Sequence, residues 1–357
     1  MRLVISSGSR NWGGLEAMAE VLARGLRGRG HEVVVFCRAG APLHERLSDT
    51  IPCEPILGGS DFHPVTLWRC ASALRRYQPE IVLANTVKDP RWTGVAARIM
   101  GIPVVYRHEI DEPLRNRAYY RMVYGWVPTH HIVNSDATRS TILASADWIA
   151  PQSVSNIPNG INPEPFDSAY PADLGLPTGA VAVGFVGRFE TRKGIWELAE
   201  AWPRVAAAVP NAYLVIAGWG AVDGKFRAAL EGAPRVRWLG FRRDVPAVMK
   251  ALDLLVAPSH YEGFGLVLVE AMAAGTPAIA TRVSSLTEIV TDGVEGLLVP
   301  PKNSGALADA LIRLAQDPES RARMGAAGQA RVERCYTQER MLDAHEALLS
   351  RIVVGQA

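Results

Sequence analysis

Two glutamates eight residues apart, Glu262 and Glu270, frame the stretch Ser259-His-Tyr-Glu-Gly-Phe-Gly-Leu-Val-Leu-Val-Glu-Ala-Met-Ala-Ala-Gly-Thr-Pro, the part of the chain richest in groups that could do chemistry. The apolar run Leu252 to Ala257 reads as a buried strand and Pro258 to Gly263 as its turn. Phe264 to Ala274 reads as a helix closed by Gly275, and Pro277 to Thr281 as the next strand. In such a βαβ unit the unbonded amide N–H groups of Gly263, Phe264, Gly265 and Leu266 point into the turn and form a seat for an anion, phosphate above all. Glu262 stands beside that seat. Glu270 lies about 12 Å further on at a helical rise of roughly 1.5 Å per residue, a separation comparable with the two ends of a sugar nucleotide. One carboxylate is then expected to hold hydroxyls of a sugar and the other those of a ribose. Glu270 also sits in Val-Leu-Val-Glu-Ala-Met-Ala-Ala, a run apolar enough to be mostly buried, and carboxylates are seldom buried without a partner. The bland alternative is an ordinary strand, turn and helix, with Glu262 as a first-turn acid and Glu270 on a solvated face.

A second constellation lies in Gly184-Phe-Val-Gly-Arg-Phe-Glu-Thr-Arg-Lys-Gly194. Arg188 and Lys193 follow a strand and precede a helical pattern. They suit the neutralisation of a diphosphate, arginine with a fork of donors and lysine as a point charge. Arg192, between them, is assigned to solvent. Near the start, the loop Gly8 to Gly14 ends one strand and opens a helix, which is the context of a phosphate or sugar ligand. Its glycine spacing is not G-x-G-x-x-G and no Gly-Lys-Ser/Thr follows, so neither a hydride-transfer dinucleotide fold nor a P-loop is expected.

The Glu262-Gly-Phe-Gly-Leu-(x)3-Glu270-Ala-Met-Ala-x-Gly-x-Pro run resembles the E-x7-E signature of family 4 of the glycosyltransferases. The resemblance implies a retaining, metal-independent enzyme of α/β class with the GT-B fold, in which two Rossmann-like, doubly wound domains face a central cleft. It also implies roles. Gly13 and Gly14 match the paired glycines through which the first domain's loop approaches the donor phosphates and the acceptor. His108, in Pro-Val-Val-Tyr-Arg-His108-Glu, matches the first-domain histidine that contacts the transferred sugar, with Glu109 and Asp111 near enough in sequence to hold its imidazole. Donor binding would fall to Gly13, Gly14, Arg188, Lys193, Glu262, Gly263, Phe264, Gly265, Leu266 and Glu270, and catalysis to His108, Glu262, Arg188 and Lys193. Among similar enzymes UDP is the commonest donor moiety, which favours it over GDP. The pair His130-His131 has no metal-ligand spacing, no Asp-x-Asp occurs, and neither a cofactor nor a metal is expected.

The elements that must position these residues follow from the rest of the chain. Its 357 residues suggest two domains, and 48% hydrophobic with 21% charged residues describe a globular protein. A net charge of +2 gives no reason to expect nucleic acid. Cys37, Cys53, Cys70 and Cys335 are scattered without a C-x-x-C pair, which argues against zinc and against a disulfide framework. Strand and helix patterns alternate through both halves, as two parallel sheets require. Proline and glycine thicken between Pro151 and Gly179, and the boundary is placed there, giving an acceptor-side domain over residues 1–170 and a donor domain over 171–337. In the family it resembles, the last helix, residues 338–357, crosses back onto the first domain. The first strand is too short for a signal peptide and no run reaches transmembrane length, so a cytoplasmic protein is expected. The stretch Leu114 to Trp126, read as a helix, gathers Arg115, Arg117 and Arg121 with Tyr119, Tyr120, Tyr124 and Trp126. It suggests weak contact with the anionic inner face of a membrane, where a glycan, glycolipid or small-molecule acceptor could reside. Two alternatives remain on this sequence: an epimerase or hydrolase of the nucleotide sugar on the same fold, and a non-catalytic binding protein.

Overall fold

The structure, a computed structural model, describes residues 1–355. Its backbone is organised by two sheets. Strands β1 (Arg2–Ser7), β2 (Glu32–Cys37), β3 (Cys53–Glu54), β4 (Ile81–Ala84), β5 (Val104–His108), β6 (His130–Val133) and β7 (Val154–Asn156) lie in the order β3-β2-β1-β4-β5-β6-β7. Strands β8 (Val181–Arg188), β9 (Ala212–Trp219), β10 (Val236–Gly240), β11 (Leu254–Ala257), β12 (Ala278–Thr281) and β13 (Gly296–Val299) lie in the order β10-β9-β8-β11-β12-β13. The ladders are parallel, so helices must return the chain and both faces are covered. Alternation along β8 makes this visible. Val181, Val183 and Phe185 enter the core on one face with Trp202 and Leu311, while Ala182 enters the other with Leu255, Leu268 and Met272.

In each sheet the strand order reverses once, between β1 and β4 and between β8 and β11. Loops leaving the carboxyl ends of those strand pairs diverge to opposite faces and open a crevice, the place where such sheets hold ligands. The loop Gly8 to Gly14 leaves β1, Arg188 closes β8, and Ser259 to Gly263 follows β11. Topology therefore delivers three of the expected motifs to reversal points.

Two compact units emerge, Gly160–Thr337 and Met1–Asn159 joined by the chain from Gln338 onward. The division falls at 159/160 and not at the expected 170/171. The proline and glycine density that suggested the later point marks turns already packed into the second unit. The Ile161 amide donates to the Tyr336 carbonyl at 2.9 Å, Phe166 and Leu174 are buried in that unit's core, and Lys250 Nζ donates to the carbonyls of Phe166 and Asp167. The last helix, Gln338–Val354, belongs to the first unit. Arg29 pairs there with Glu339, Asp343 and Glu346, and a side chain at Gly25 would run into Leu342.

The segment Leu114 to Trp126 is not the continuous helix expected of it. It is a four-residue turn, Ala118–Arg121, followed by a wider turn, Met122–Trp126. The two turns adjoin, so helical backbone begins only at Ala118; within it Tyr124 is buried, Tyr119 and Tyr120 pack against the same core, and Tyr119 donates its hydroxyl to Asp61. Arg115, Arg117, Arg121, Met122 and Trp126 remain exposed. Among the described residues no helix is long and apolar enough to cross a membrane.

Candidate active site

In the second unit the site is built on contact between two turns. Gly194 adopts φ +69°, and a Cβ there would fall 1.8 Å from the Pro258 carbonyl oxygen, so only glycine lets the backbones meet. The His260 amide donates to the Arg192 carbonyl at 2.7 Å, locking the two turns together. This approach brings Lys193 Nζ onto Glu262 Oε1, which also accepts from the Ser259 hydroxyl at 2.8 Å. Arg192 Nη1 lies 3.6 Å from Glu262 Oε2, and its Nε 2.7 Å from Glu190. Arg192 is thus part of the cluster and not a solvated cation as the sequence suggested; its guanidinium also lies over the Tyr261 ring. Arg188 is exposed at the end of β8 and pairs with Glu190 at 3.0 Å, leaving most of its donors open.

The helix after Glu262 begins two residues later than expected, at Leu266, because Gly265 takes φ +101° and turns the chain. A side chain at Gly265 would strike Leu286. Ser285 Oγ donates to the Phe264 carbonyl and fixes the loop. Among the described residues no protein acceptor takes the amide N–H of Gly263, Phe264, Gly265 or Leu266. Four unpaired donors next to Lys193 make an electropositive seat. Glu270 differs sharply from Glu262: half-buried, it has no hydrogen-bond partner among the described residues, and desolvation raises its carboxyl from 4.5 to about 7.

In the first unit, Gly13 is extended and Gly14 opens the helix Gly14–Gly28. His108 ends β5 and is buried. Its Nε2 is 2.9 Å from His131 Nδ1, and the ring packs edge-on against Tyr106. Neither Glu109 nor Asp111 holds the imidazole. Strand alternation turns Arg107 to the opposite face, and Glu109 pairs with it while accepting from the side-chain Nδ2 groups of Asn134 and Asn159. Burial, with His131 beside it, drives the His108 pKa well below its ordinary value, so the ring is neutral at physiological pH.

The two halves of the chain match family models in turn, Glycosyltransferase Family 4 over residues 12–165 and Glycosyl transferases group 1 over residues 167–331. Over 346 residues the chain is 31% identical to phosphatidyl-myo-inositol mannosyltransferase of Mycobacterium tuberculosis, covering 90% of this chain and 89% of that one. The chain is a family 4 glycosyltransferase. Another relative is UDP-Gal:alpha-D-GlcNAc-diphosphoundecaprenol alpha-1,3-galactosyltransferase of Escherichia coli, 25% identical over 321 residues and 80% of each chain. In fold it is similar to Anabaena HepE in complex with UDP and glucose, with a TM-score of 0.84 at 22% identity over 98% of this chain and 99% of that one. A glycosyltransferase from Rickettsia africae gives 0.89 at 17% identity, over 100% and 99%. The two-sheet architecture is accordingly GT-B.

The glycosyltransferase brings Lys193, Glu262 and the four amides together in its second unit. Arg188 shares with them only the intermediary Glu190 and Arg192. Sequence reasoning missed Asp89. This carboxylate is fully buried and accepts from the amides of Gly8, Asn85 and Thr86, tying the loops after β1 and β4 at the reversal point. Burial raises it to about 6. The signal was Asp89-Pro90 just after a strand, an amide-capping pattern whose cross-strand half is invisible in sequence.

Glu270 gives a stability test. Its folded-state pKa exceeds the unfolded one, so folding takes up a proton between them, and the stability it contributes falls as pH rises through the window 4.5 to about 7. Glu270→Gln should melt above the parent protein at about pH 8 and level with it at about pH 4.5. Calorimetry at the two pH values checks this, and an equal melting temperature at the higher pH would contradict it.

Proposed function

We propose that this transferase moves a sugar from a nucleoside diphosphate sugar, with UDP favoured over GDP, to the hydroxyl of a glycolipid or other envelope acceptor, with retention and without a metal. The observation that carries the reading is Glu262 held by Lys193 beside the unpaired amides of Gly263 to Leu266. Breaking the bond between the anomeric carbon and the diphosphate oxygen leaves negative charge on the diphosphate and positive charge on the sugar. Fixed donors at the leaving group and hydroxyl acceptors at the sugar lower that barrier most. Lys193, Arg188 and the four amides are assigned to the diphosphate, Glu262 and His108 to the sugar, and Glu270 to the ribose. His108 is neutral and so takes part as a hydrogen-bonding group, not as a charge. The acceptor oxygen bonds to the anomeric carbon on the face the leaving group vacates, and its proton passes to the departing phosphate oxygen. Gly13 and Gly14 are assigned to the approach of the loop to donor phosphates and acceptor.

Support for the donor and acceptor classes comes from the relatives. One is named for UDP-Gal and a diphosphoundecaprenol acceptor, another for phosphatidyl-myo-inositol, and a structure of the same fold was solved with UDP and glucose. Such acceptors fit a protein at the cytoplasmic face of a membrane, contacted weakly through Arg115, Arg117 and Arg121.

Incubation with UDP- and GDP-sugars, with and without phosphatidylinositol or polyprenyl diphosphate acceptors, should give nucleotide release that depends on acceptor. Release without acceptor would instead indicate an epimerase or hydrolase, and binding without turnover a receptor. Arg188→Ala and Lys193→Ala should each lower turnover roughly 100-fold or more, with smaller effects on donor affinity. Unchanged kcat in both would remove them from the mechanism.

Activity should survive dialysis against EDTA. A loss that magnesium restores would overturn the metal-free diphosphate site.

Cosedimentation with anionic vesicles should occur at low salt and vanish at high salt, whereas equal pelleting with neutral vesicles would count against the membrane face.

A further inference from the structure

Strands β5 and β6 bring two histidines together inside the first unit. In their ladder Tyr106 lies opposite His131, and His108 opposite Val133. Side chains alternate along each strand, so Tyr106, His108 and His131 share one face, with the two histidines on a diagonal. There His108 Nε2 lies 2.9 Å from His131 Nδ1. Tyr106, His131 and Tyr124 surround the His108 ring, at 4.4, 5.1 and 6.3 Å between ring centres. The remaining polar atom of that ring, Nδ1, makes no hydrogen bond among the described residues. It is also not one of the polar atoms sealed off without a partner, so it is the atom left to a ligand.

Both rings are neutral. Burial above all, with His130 alongside, lowers His131 to about 3, and burial likewise holds His108 well below its ordinary value. A neutral imidazole has one N–H and one lone pair. A hydrogen bond between Nε2 of one ring and Nδ1 of the other therefore allows two arrangements, with the proton on Nε2 of both rings or on Nδ1 of both. Two considerations choose the first. A free neutral histidine side chain favours its proton on Nε2, and the first arrangement meets that preference twice. In the second, the proton on His108 Nδ1 would have no acceptor among the described residues, a loss that buried donors rarely bear. Nε2–H of His108 is then the donor to His131 Nδ1, and Nδ1 of His108 is a bare lone pair.

We propose that His131 is the positioning residue for His108: by accepting from Nε2–H it fixes the ring and its tautomer, and so presents Nδ1 as an acceptor for a hydroxyl of the transferred sugar. The inference rests on the assignment of His108 to the sugar and deepens it, naming the atom that makes the contact and the group that aims it. A histidine partner suits this position better than a carboxylate would. A carboxylate on Nε2–H would favour the imidazolium and set a positive charge beside a sugar that itself gains positive charge in the transition state. His131, being neutral, orients the ring without charging it.

The test reads the tautomers of the full-length protein by proton–nitrogen NMR with isotope-labelled histidine, the signals being identified with His108→Asn and the His131 variants. The parent should carry its proton on Nε2 of both rings. His131→Gln moves the polar group away from the Nδ1 position, whereas His131→Asn keeps a carbonyl oxygen close to it. In His131→Gln the His108 tautomers should mix and kcat/KM for the UDP-sugar should fall about tenfold, while the affinity for UDP, which lacks the sugar, stays unchanged by calorimetry. His131→Asn should recover most of the turnover and the Nε2 proton. His130→Asn, on the other face of β6 where His130 meets Ser155, should alter neither reading. If His131→Gln fails to fold, His131→Phe takes its place. A proton on His108 Nδ1 in the parent, unchanged tautomer and turnover in His131→Gln, a His131→Asn as impaired as His131→Gln, or an equal loss in His130→Asn would overturn the proposal. Should no UDP- or GDP-sugar turn over in the parent, the transferase reading fails instead, and the His108 tautomer in parent and variants still decides the pairing.

Discussion

The contact of Glu262 with Lys193 is the constraint on which the second unit's site depends. Carboxylate and ammonium come from turns that follow different strands, β11 and β8, and they meet because Gly194 admits the Pro258 carbonyl where any side chain would exclude it. The His260 amide on the Arg192 carbonyl repeats the link in the backbone, Ser259 donates a further hydrogen bond to the carboxylate, and the Arg192 guanidinium forms an ion pair with it at 3.6 Å. A carboxylate held by two hydrogen bonds and flanked by a guanidinium is fixed in one place, which a group expected to grip ligand hydroxyls requires. The same contact sets Lys193 beside amides that no protein acceptor takes. Charge pairing, backbone approach and the anion seat are in this sense one arrangement.

The first unit meets a similar geometric need with buried polar groups. Asp89 gathers the amides of Gly8, Asn85 and Thr86, and Arg107 reaches Asn85, Asn159 and Glu109 from the opposite face of β5 to His108. Buried polar groups of this kind are costly unless satisfied, and satisfied they specify one loop geometry. His345 on the last helix is buried, and that burial, with the Arg107 charge beside it, lowers it to about 3. The returning helix therefore closes the same polar interior from which the loops at the reversal point are held.

Glu262 and Glu270 are close in sequence and opposite in environment. The first is surrounded by protein donors, and the second has none among the described residues and is raised to about 7 by desolvation alone. A half-buried acid without a partner costs stability, and proteins tend to keep such costs where a ligand offsets them. This contrast supports the assignment of separate ligand groups to the two carboxylates.

Much of this was written in local sequence. The βα alternation, the helix start after Glu262, the glycine loop after β1 and the final helix are properties of contiguous residues, since hydrophobic period, turn chemistry and helix ends act within a few positions. Gly263, Gly265, Arg188 and Lys193 could be placed at strand ends and a helix start for the same reason. The strands β3 and β7 are not legible in sequence, because two- and three-residue edge strands carry no period to read. Pairings across the chain were equally hidden. Lys193 and Glu262 are 69 positions apart, Arg107 and Asn159 are 52 apart, and His108 and His131 are 23 apart. Arg192 looked solvated because its partners lie on another turn, and Glu109 looked like the partner of His108 because neighbours in sequence point to opposite faces of a strand only once the strand is formed. The boundary shifted from 170/171 to 159/160 because proline and glycine record where the chain turns, whereas membership of a unit is decided by the core into which Phe166 and Leu174 are buried.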